Sequence, residues 1–188
     1  IPGGIVSPKG KLIYIIALVI GIGIPISIIY LLNLLRFRIE GHTDVEKLTT
    51  VPIIGDIPLT DAGKNGTPTI AVRENDNNIM AETFRSLRTN LLFIMGDPDK
   101  KVILVTSTIS GEGKTFMASN LAVSLALLGK KVILVGLDIR KPGLNKIFHL
   151  SHKEKGITQY LAAPQSTDLH ALIQPSGITS NLDLLLGG

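Results

Sequence analysis

Hydrophobic and polar residues fall into blocks along the chain, and the longest apolar block comes first. Residues 12–35 contain no charged side chain, and basic residues flank them on both sides. As a helix this block is about 36 Å long, whereas the hydrocarbon core of a bilayer is about 30 Å thick. The pattern therefore predicts a transmembrane helix. A buried core helix is the alternative, and a signal peptide is disfavoured because no small-residue cleavage site follows.

The next stretch, residues 36–78, is predicted to be a juxtamembrane connector and linker. Thr43 followed three residues later by Glu46 indicates a short capped helix. Residues 51–58 are apolar and bounded by prolines, which predicts a short strand or an extended segment. Residues 60–78 are rich in Gly, Pro, Asn and Asp, which is typical of a flexible linker.

Residues 79–95 form the clearest amphipathic pattern. Apolar side chains recur at spacings of four and three, as expected for one face of a helix: Met80, Phe84, Leu87, Leu91 and Ile94. The charged residues Glu82, Arg85 and Arg88 lie off that face, one turn apart. From their spacing alone, a solvated and salt-bridged helix surface is the favoured interpretation.

The rest of the chain alternates strand-like and helix-like runs. Apolar β-branched runs at 101–106 and 132–135 predict buried parallel strands, and the Ala/Leu-rich run 116–128 between them predicts a helix ending at Gly129. Short helices are predicted at 144–150 and 157–162, and short strands at 169–173 and 182–186. This order predicts an α/β fold with a mostly parallel sheet flanked by helices.

A glycine loop lies between the first predicted strand and its helix. Glycines let successive backbone N–H groups converge on an anion, and the helix N-terminus adds a partial positive charge. The Gly-Lys-Thr string in this context predicts nucleotide binding, although Thr108 replaces the usual first glycine of the motif. The alternative is a turn that needs glycine only for its geometry. The predicted nucleotide-binding residues are Ser110, Gly111, Glu112, Gly113, Lys114, Thr115 and Phe116.

Each polar residue near the loop has a predicted task. Lys114 would reach the β- and γ-phosphates, and the Thr115 hydroxyl would hold Mg²⁺. Asp138 and Arg140 follow the second strand, and ligands of doubly wound sheets bind beyond the carboxyl ends of the strands. Asp138 can hold the metal or orient an attacking hydroxyl, and Arg140 can offset phosphate charge. The alternative for Asp138 is a capping role in a strand-end turn.

Composition narrows the class of protein only slightly. The 188 residues carry 19 Lys and Arg against 15 Asp and Glu, a formal net charge of +4. Because the basic residues are scattered and aromatic residues are few, no nucleic-acid partner is predicted. The absence of cysteine excludes disulfides and thiolate metal sites. The chain begins at Ile1, so we expect it to be part of a longer protein.

Together these segments resemble the bacterial tyrosine kinases of the polysaccharide co-polymerase family, which are membrane proteins that regulate capsule and exopolysaccharide export. The E-x-x-R-x-x-R helix, the Walker A loop and the Walker A′ strand at 132–140 carry the resemblance. It implies transfer of the ATP γ-phosphoryl group to tyrosines of a neighbouring copy, with Mg²⁺ held by Thr115 and Asp138. Lys114, Asp138 and Arg140 would be catalytic.

The resemblance also implies an organisation and a location. Residues 1–11 would be an extracytoplasmic tail, 12–35 the membrane helix, 36–78 the connector, and 79–188 the N-terminal part of a cytoplasmic P-loop kinase domain. The protein would lie in the bacterial inner membrane, in contact with lipid and with the polysaccharide polymerisation and export machinery. Glu82, Arg85 and Arg88 would build a ring-shaped homo-oligomer.

Two departures from the family pattern matter. The family has the pattern D-x-D-x-R, and in this chain Gly136 replaces the first aspartate, which the family uses at the Mg²⁺ and phosphoryl-transfer site. Asp138 then carries the tasks of both aspartates, or the enzyme is slower, or it binds nucleotide with little catalysis. The Walker B aspartate and the C-terminal tyrosine cluster are missing, so we expect the chain alone to be inactive. One rival is a nucleotide-switched scaffold. The other, a chromosome- or septum-positioning ATPase, is disfavoured because the loop lacks a second lysine.

Overall fold

The structure is a computed structural model that describes residues 10–35, 41–59, 69–97, 99–150 and 155–188. It divides into two compact units, Ile1–Pro52 and Ile53–Gly188. The predictions for residues 1–9, for the basic flank at 36–40 and for the first part of the linker, 60–68, lie outside the described residues.

The first unit contains two helices, α1 (Gly10–Leu35) and α2 (His42–Glu46). Within the described residues, α1 is the one helix long and apolar enough to cross a bilayer, and a membrane span and a signal sequence both have this character. The predicted helix over 12–35 is confirmed. The predicted cap of α2 is wrong, because Gly41 occupies the N-cap without a side-chain hydrogen bond. Thr43 lies inside the first turn because His42 joins the helix and pairs with Glu46 at 3.4 Å.

The second unit has an α/β architecture. Its helices are α3 (Ile79–Met95), α4 (Lys114–Leu127), α5 (Leu144–Ile147) and α6 (Ile157–Ala162), and its strands are β1 (Val132–Val135), β2 (Ile173–Pro175) and β3 (Leu182–Leu185). The sheet order is β1-β3-β2, with β1 parallel and β2 antiparallel to β3. The predicted α/β fold is confirmed. The strand predicted at 169–173 is largely wrong, because a 3₁₀ turn at His170–Leu172 precedes β2.

The hydrophobic core lies between α3, α4 and the sheet. All eight residues from 119 to 126 of α4 are buried, so this helix is covered on every side along its second half. From α3, Met80, Phe84 and Leu87 of the predicted apolar face are buried, whereas Ile94 near its C-terminus is half-exposed. The amphipathic pattern therefore correctly predicted which face of α3 packs against the core.

The strand predicted at residues 101–106 is not formed. The segment has no regular secondary structure, and Val102 and Leu104 are 92% and 80% exposed. Apolar β-branched composition makes a segment suitable for a sheet, but a strand exists only when a neighbour satisfies its backbone groups. Among the described residues, β1 pairs with β3, and none supplies a partner for this segment.

The second half of the predicted linker contacts α4. Asn120 of α4 is fully buried, and its Oδ1 accepts hydrogen bonds from the backbone N–H groups of Ala71 and Val72 at 2.7 and 3.1 Å. Its Nδ2 donates to the carbonyl of Phe116 at 2.9 Å. The polar composition of this stretch does not indicate the contact. Its backbone N–H groups bond to the side chain of one distant residue, Asn120, and Val72 belongs to the hydrophobic core.

We predict that Asn120→Ala destabilises this unit by about 2–3 kcal/mol, because two buried backbone N–H groups lose their acceptor. Urea unfolding would measure the loss. Asn90→Ala is the matched control: its Nδ2 donates one exposed hydrogen bond to the carbonyl of Ile54 at 2.9 Å, so its loss should stay below about 1 kcal/mol. Equal losses in the two variants would contradict the anchoring role of Asn120.

Candidate nucleotide-binding site

The glycine loop connects residues 101–106 to α4 and ends at the N-terminus of that helix. Gly111 and Gly113 have φ values of +97° and +87°, in the left-handed region, and no heavy atom lies within 4 Å of the position a Cβ would take. Gly113 is the N-cap of α4, and Lys114 is its first residue. The loop is therefore open on its outer side, with backbone N–H groups available at a helix N-terminus.

A carboxylate already occupies part of this loop. Oε2 of Glu112 accepts a hydrogen bond from the backbone N–H of Ile109 at 3.0 Å, and the Ser107 hydroxyl donates to the carbonyl of Ile109 at 3.0 Å. The carboxylate of Glu112 therefore satisfies one backbone N–H group of the loop from within the chain.

The loop lysine faces the carboxylate that follows β1. Nζ of Lys114 lies 3.6 Å from Oδ2 of Asp138, and both side chains are partly exposed. Oδ1 of Asp138 accepts a hydrogen bond from the backbone N–H of Lys141 at 3.1 Å. This hydrogen bond, with a smaller contribution from Lys114, holds the pKa of Asp138 below its usual value of 3.8. Asp138 is therefore ionised at neutral pH and able to bind a cation.

Thr115 lies beside the turn that follows Arg140. A Cβ at Gly143 would be 3.2 Å from Cγ2 and 3.3 Å from Oγ1 of Thr115, so the Thr115 side chain lies close to the backbone of Gly143. Arg140 itself is exposed. Sequence reasoning missed Gly143, although the Pro-Gly pair at 142–143 is a typical turn signal that could have indicated it.

Gly136 stands in a tightly packed place. A Cβ there would lie 2.9 Å from Cδ1 of Leu144 and 3.4 Å from the backbone nitrogen of Gly187. A Cβ added at Gly187 would in turn lie 3.2 Å from the carbonyl oxygen of Gly136. Leu144 and Gly187 are thus neighbours of the site that sequence reasoning missed, because neither belongs to a phosphate-binding motif. The carboxyl ends of β1 and β3 meet at this point.

The predicted residues of α3 make contacts away from the loop. Glu82 pairs with Arg85, whose Nη2 also donates to the carbonyl of Asp76 at 2.6 Å. Nη1 of Arg88 donates to the carbonyl of Ser124, in the last turn of α4, at 2.7 Å. All three therefore have partners within their own chain.

Phe116 faces α3 and not only the loop. Its ring lies edge-on to that of Phe84, with ring centroids 5.9 Å apart and an interplanar angle of 65°. The structure therefore brings Lys114 and Asp138 together beyond the carboxyl end of β1 and places the Thr115 side chain beside Gly143. The ring of Phe116 packs instead against Phe84 of α3.

Comparison with known proteins gives consistent matches. A family model described as "ParA: NUBPL iron-transfer P-loop NTPase" matches residues 99–176. The tyrosine-protein kinase YwqD of Bacillus subtilis is 37% identical over 111 residues, covering 59% of this chain and 45% of its own. The tyrosine-protein kinase Etk of Escherichia coli K12 is 26% identical over 191 residues, covering 92% of this chain and 26% of its own.

The solved structures give the same result. The kinase domain of Escherichia coli Etk superimposes with a TM-score of 0.69 at 26% identity, over 80% of this chain and 60% of the solved chain. The chain belongs to the bacterial tyrosine kinase family. As a bacterial tyrosine kinase (BY-kinase) it has the P-loop NTPase fold, which implies nucleotide binding. It covers part of the kinase domain and spans about a quarter of the length of several curated relatives, and 45% of the length of YwqD.

We predict a specific acid dependence from Asp138. Because its pKa is lowered by folding, its contribution to stability is complete above the pKa of the unfolded chain and is lost as the pH falls through the lower folded value. The stability advantage of the wild type over Asp138→Asn should therefore be constant above about pH 5 and shrink below about pH 4.

Urea midpoints measured across this pH range would test this dependence. Lys114→Met is the control background. Part of the pH-dependent stability difference between chains without and with Asp138→Asn should persist in it, because the hydrogen bond from the Lys141 N–H group lowers the pKa of Asp138 more than Lys114 does. An advantage that grows as the solution becomes more acidic would contradict the assignment.

Proposed function

We propose that this chain is a membrane-anchored part of an ATP-dependent protein-tyrosine autokinase that regulates capsule or exopolysaccharide polymerisation and export, and that it comprises a membrane helix and the N-terminal part of the kinase domain. The observation that supports it most is the meeting of Lys114 and Asp138, 3.6 Å apart, at the open glycine loop. A cation for phosphate and an ionised carboxylate for a metal are the two groups that phosphoryl transfer requires side by side. The names of the relatives support the tyrosine as acceptor.

Each residue has a role in this proposal. The N–H groups of the loop and the N-terminus of α4 bind the phosphates, and Lys114 stabilises their negative charge. Thr115 and Asp138 offer the hydroxyl and carboxylate oxygens that suit Mg²⁺, which when bound neutralises charge on the phosphate oxygens. Asp138 also accepts a hydrogen bond from an incoming tyrosine hydroxyl. Arg140, exposed next to it, offsets phosphate charge.

The proposed location follows from α1 and the nucleotide. α1 spans the cytoplasmic membrane once, and the kinase part faces the cytoplasm because ATP is there. In the proposed homo-oligomer, Glu82, Arg85 and Arg88 of one copy lie toward the neighbouring copy that receives the phosphoryl group. The polysaccharide polymerisation and export machinery is the proposed partner at the membrane.

We predict that the full-length protein, incubated with Mg²⁺ and ATP, forms phosphotyrosine, and that Lys114→Ala lowers its amount by about 10²-fold or more. The reason is that the transferred phosphoryl group loses its positive partner. Quantitative mass spectrometry measures the product. Lys146→Ala removes an exposed lysine at the end of α5 and should leave the amount unchanged. Phosphotyrosine that persists in Lys114→Ala would show that another site performs the reaction.

A second candidate function is a nucleotide-switched scaffold, in which ATP binding controls assembly and little phosphotransfer occurs. The packing at Gly136 favours it. The family resemblance implies a carboxylate at this position, but Leu144 fills the space that such a side chain would enter. The site is therefore packed around glycine and has one acidic group fewer than the family pattern.

We predict that Gly136→Asp alone destabilises the domain by about 1–3 kcal/mol, because Leu144 must move. In a Leu144→Ala background the same change should cost about 1 kcal/mol less, which a double-mutant cycle of urea unfolding would detect. Additive effects would contradict the contact.

Phosphotyrosine formation by the double variant separates the two functions. An amount above wild type would identify Gly136 as the cause of weak catalysis and favour the scaffold for the natural chain. An unchanged amount would favour the kinase.

A further inference from the structure

The helix that carries the glycine loop is closed at its far end by a residue of α3. An α-helix leaves its last four carbonyl groups without helical partners. In α4 the carbonyls of Leu125 and Ala126 accept from the backbone N–H groups of residues 128–130. The carbonyl of Ser124 instead accepts from Nη1 of Arg88 at 2.7 Å, and the Ser124 hydroxyl lies 3.3 Å from the same nitrogen. Arg88 thus acts as a cap supplied from another helix.

The charge of Arg88 suits this place. The C-terminal end of a helix carries partial negative charge, and a cation there is stabilising, more so where the contact is shielded from solvent. The contact between Arg88 and Ser124 is partly buried. Arg88 is therefore held by a charge-assisted hydrogen bond in the direction of the α4 axis.

The same two helices are joined again nearer the loop. The Ser124 hydroxyl donates to the carbonyl of Phe84 at 3.4 Å, and the Phe84 ring packs edge-on against Phe116. Phe116 is two residues from Lys114. α3 therefore contacts α4 at two places, the C-terminal end of α4 and the first turn of α4. A shift of α4 along its axis would break one of these contacts.

We infer that Arg88 is a positioning residue for the phosphate-binding loop: by capping α4, it fixes the axial position of the helix whose N-terminus presents Lys114. This inference rests on the proposed binding of nucleotide by the loop. It assigns Arg88 a function within its own chain, in addition to the subunit contact proposed above. The contacts of Glu82 and Arg85 stay within the N-terminal part of α3 and the turn before it.

The test measures the affinity of the full-length protein for the fluorescent nucleotide mant-ADP with Mg²⁺, well below the unfolding temperature of every variant. Arg88→Gln should weaken binding by about three- to tenfold, and Arg88→Lys, which keeps the charge, should recover part of it. Hydrogen–deuterium exchange of residues 107–117 should rise in Arg88→Gln. Thr89→Ala removes an exposed hydroxyl on the next residue and should change neither quantity.

A control for general loss of stability is Leu87→Ala, which removes a buried side chain of α3 whose Cδ1 lies 3.0 Å from the position that a Cβ at Gly55 would take. Nucleotide affinity and loop exchange that change as much in this variant as in Arg88→Gln would overturn the inference. An altered oligomer mass in Arg88→Gln with unchanged affinity would also overturn it, in favour of a subunit contact. If the wild type did not bind mant-ADP, the proposed function itself would fail and the inference with it.

Discussion

The burial of α4 is the constraint on which the rest of the kinase part depends. Its residues 119–126 are covered on all sides, by α3 and by the sheet, and small polar residues lie within this buried stretch. Most buried polar groups have a hydrogen-bond partner, and although the Ser119 hydroxyl has none among the described residues, Asn120 and Ser124 each bond to a segment packed against the helix. Asn120 holds the extended residues 69–72, and Ser124 receives Arg88. The helix thereby fixes the positions of two otherwise separate segments.

Close backbone contacts join the start of α6, the residues that follow β3 and the end of β1. A Cβ at Gly156 would clash with the carbonyl oxygen of Leu186, so only glycine fits there. This approach lets the first N–H groups of α6 donate to the carbonyls of Leu186 and Gly187, at 2.8 and 3.1 Å. Gly187 then reaches the end of β1 beside Gly136. Glycine at these positions is a packing requirement, and the absence of an acidic side chain at 136 is consistent with it.

Much of this arrangement could be predicted from local sequence, because local patterns report local structure. The periodicity of α3, the apolar run of β1 and the glycine loop before α4 each determine their own backbone, and the structure contains all of them. The juxtaposition of Lys114 and Asp138 was also predictable, since it follows from the rule that strand ends and loops meet at one edge of a sheet.

The parts that could not be predicted depend on distant partners. Residues 69–72 were expected to be flexible because nothing in their composition indicates that Asn120, about fifty positions later, supplies their acceptor. Residues 101–106 were expected to be a strand, but a strand needs a neighbour, and composition reports only suitability. The contacts of Leu144 with Gly136 and of Arg88 with Ser124 likewise join segments whose proximity only the fold establishes.

The unpaired segment before the loop explains why the anchoring of α4 matters. Parallel sheets are normally covered on both faces, yet Ile133 and Val135 of β1 are 52% and 41% exposed on the face away from α4. Among the described residues, the loop has no sheet support on its N-terminal side. Its position therefore depends on α4, and the position of α4 depends on its contacts with α3 and the sheet.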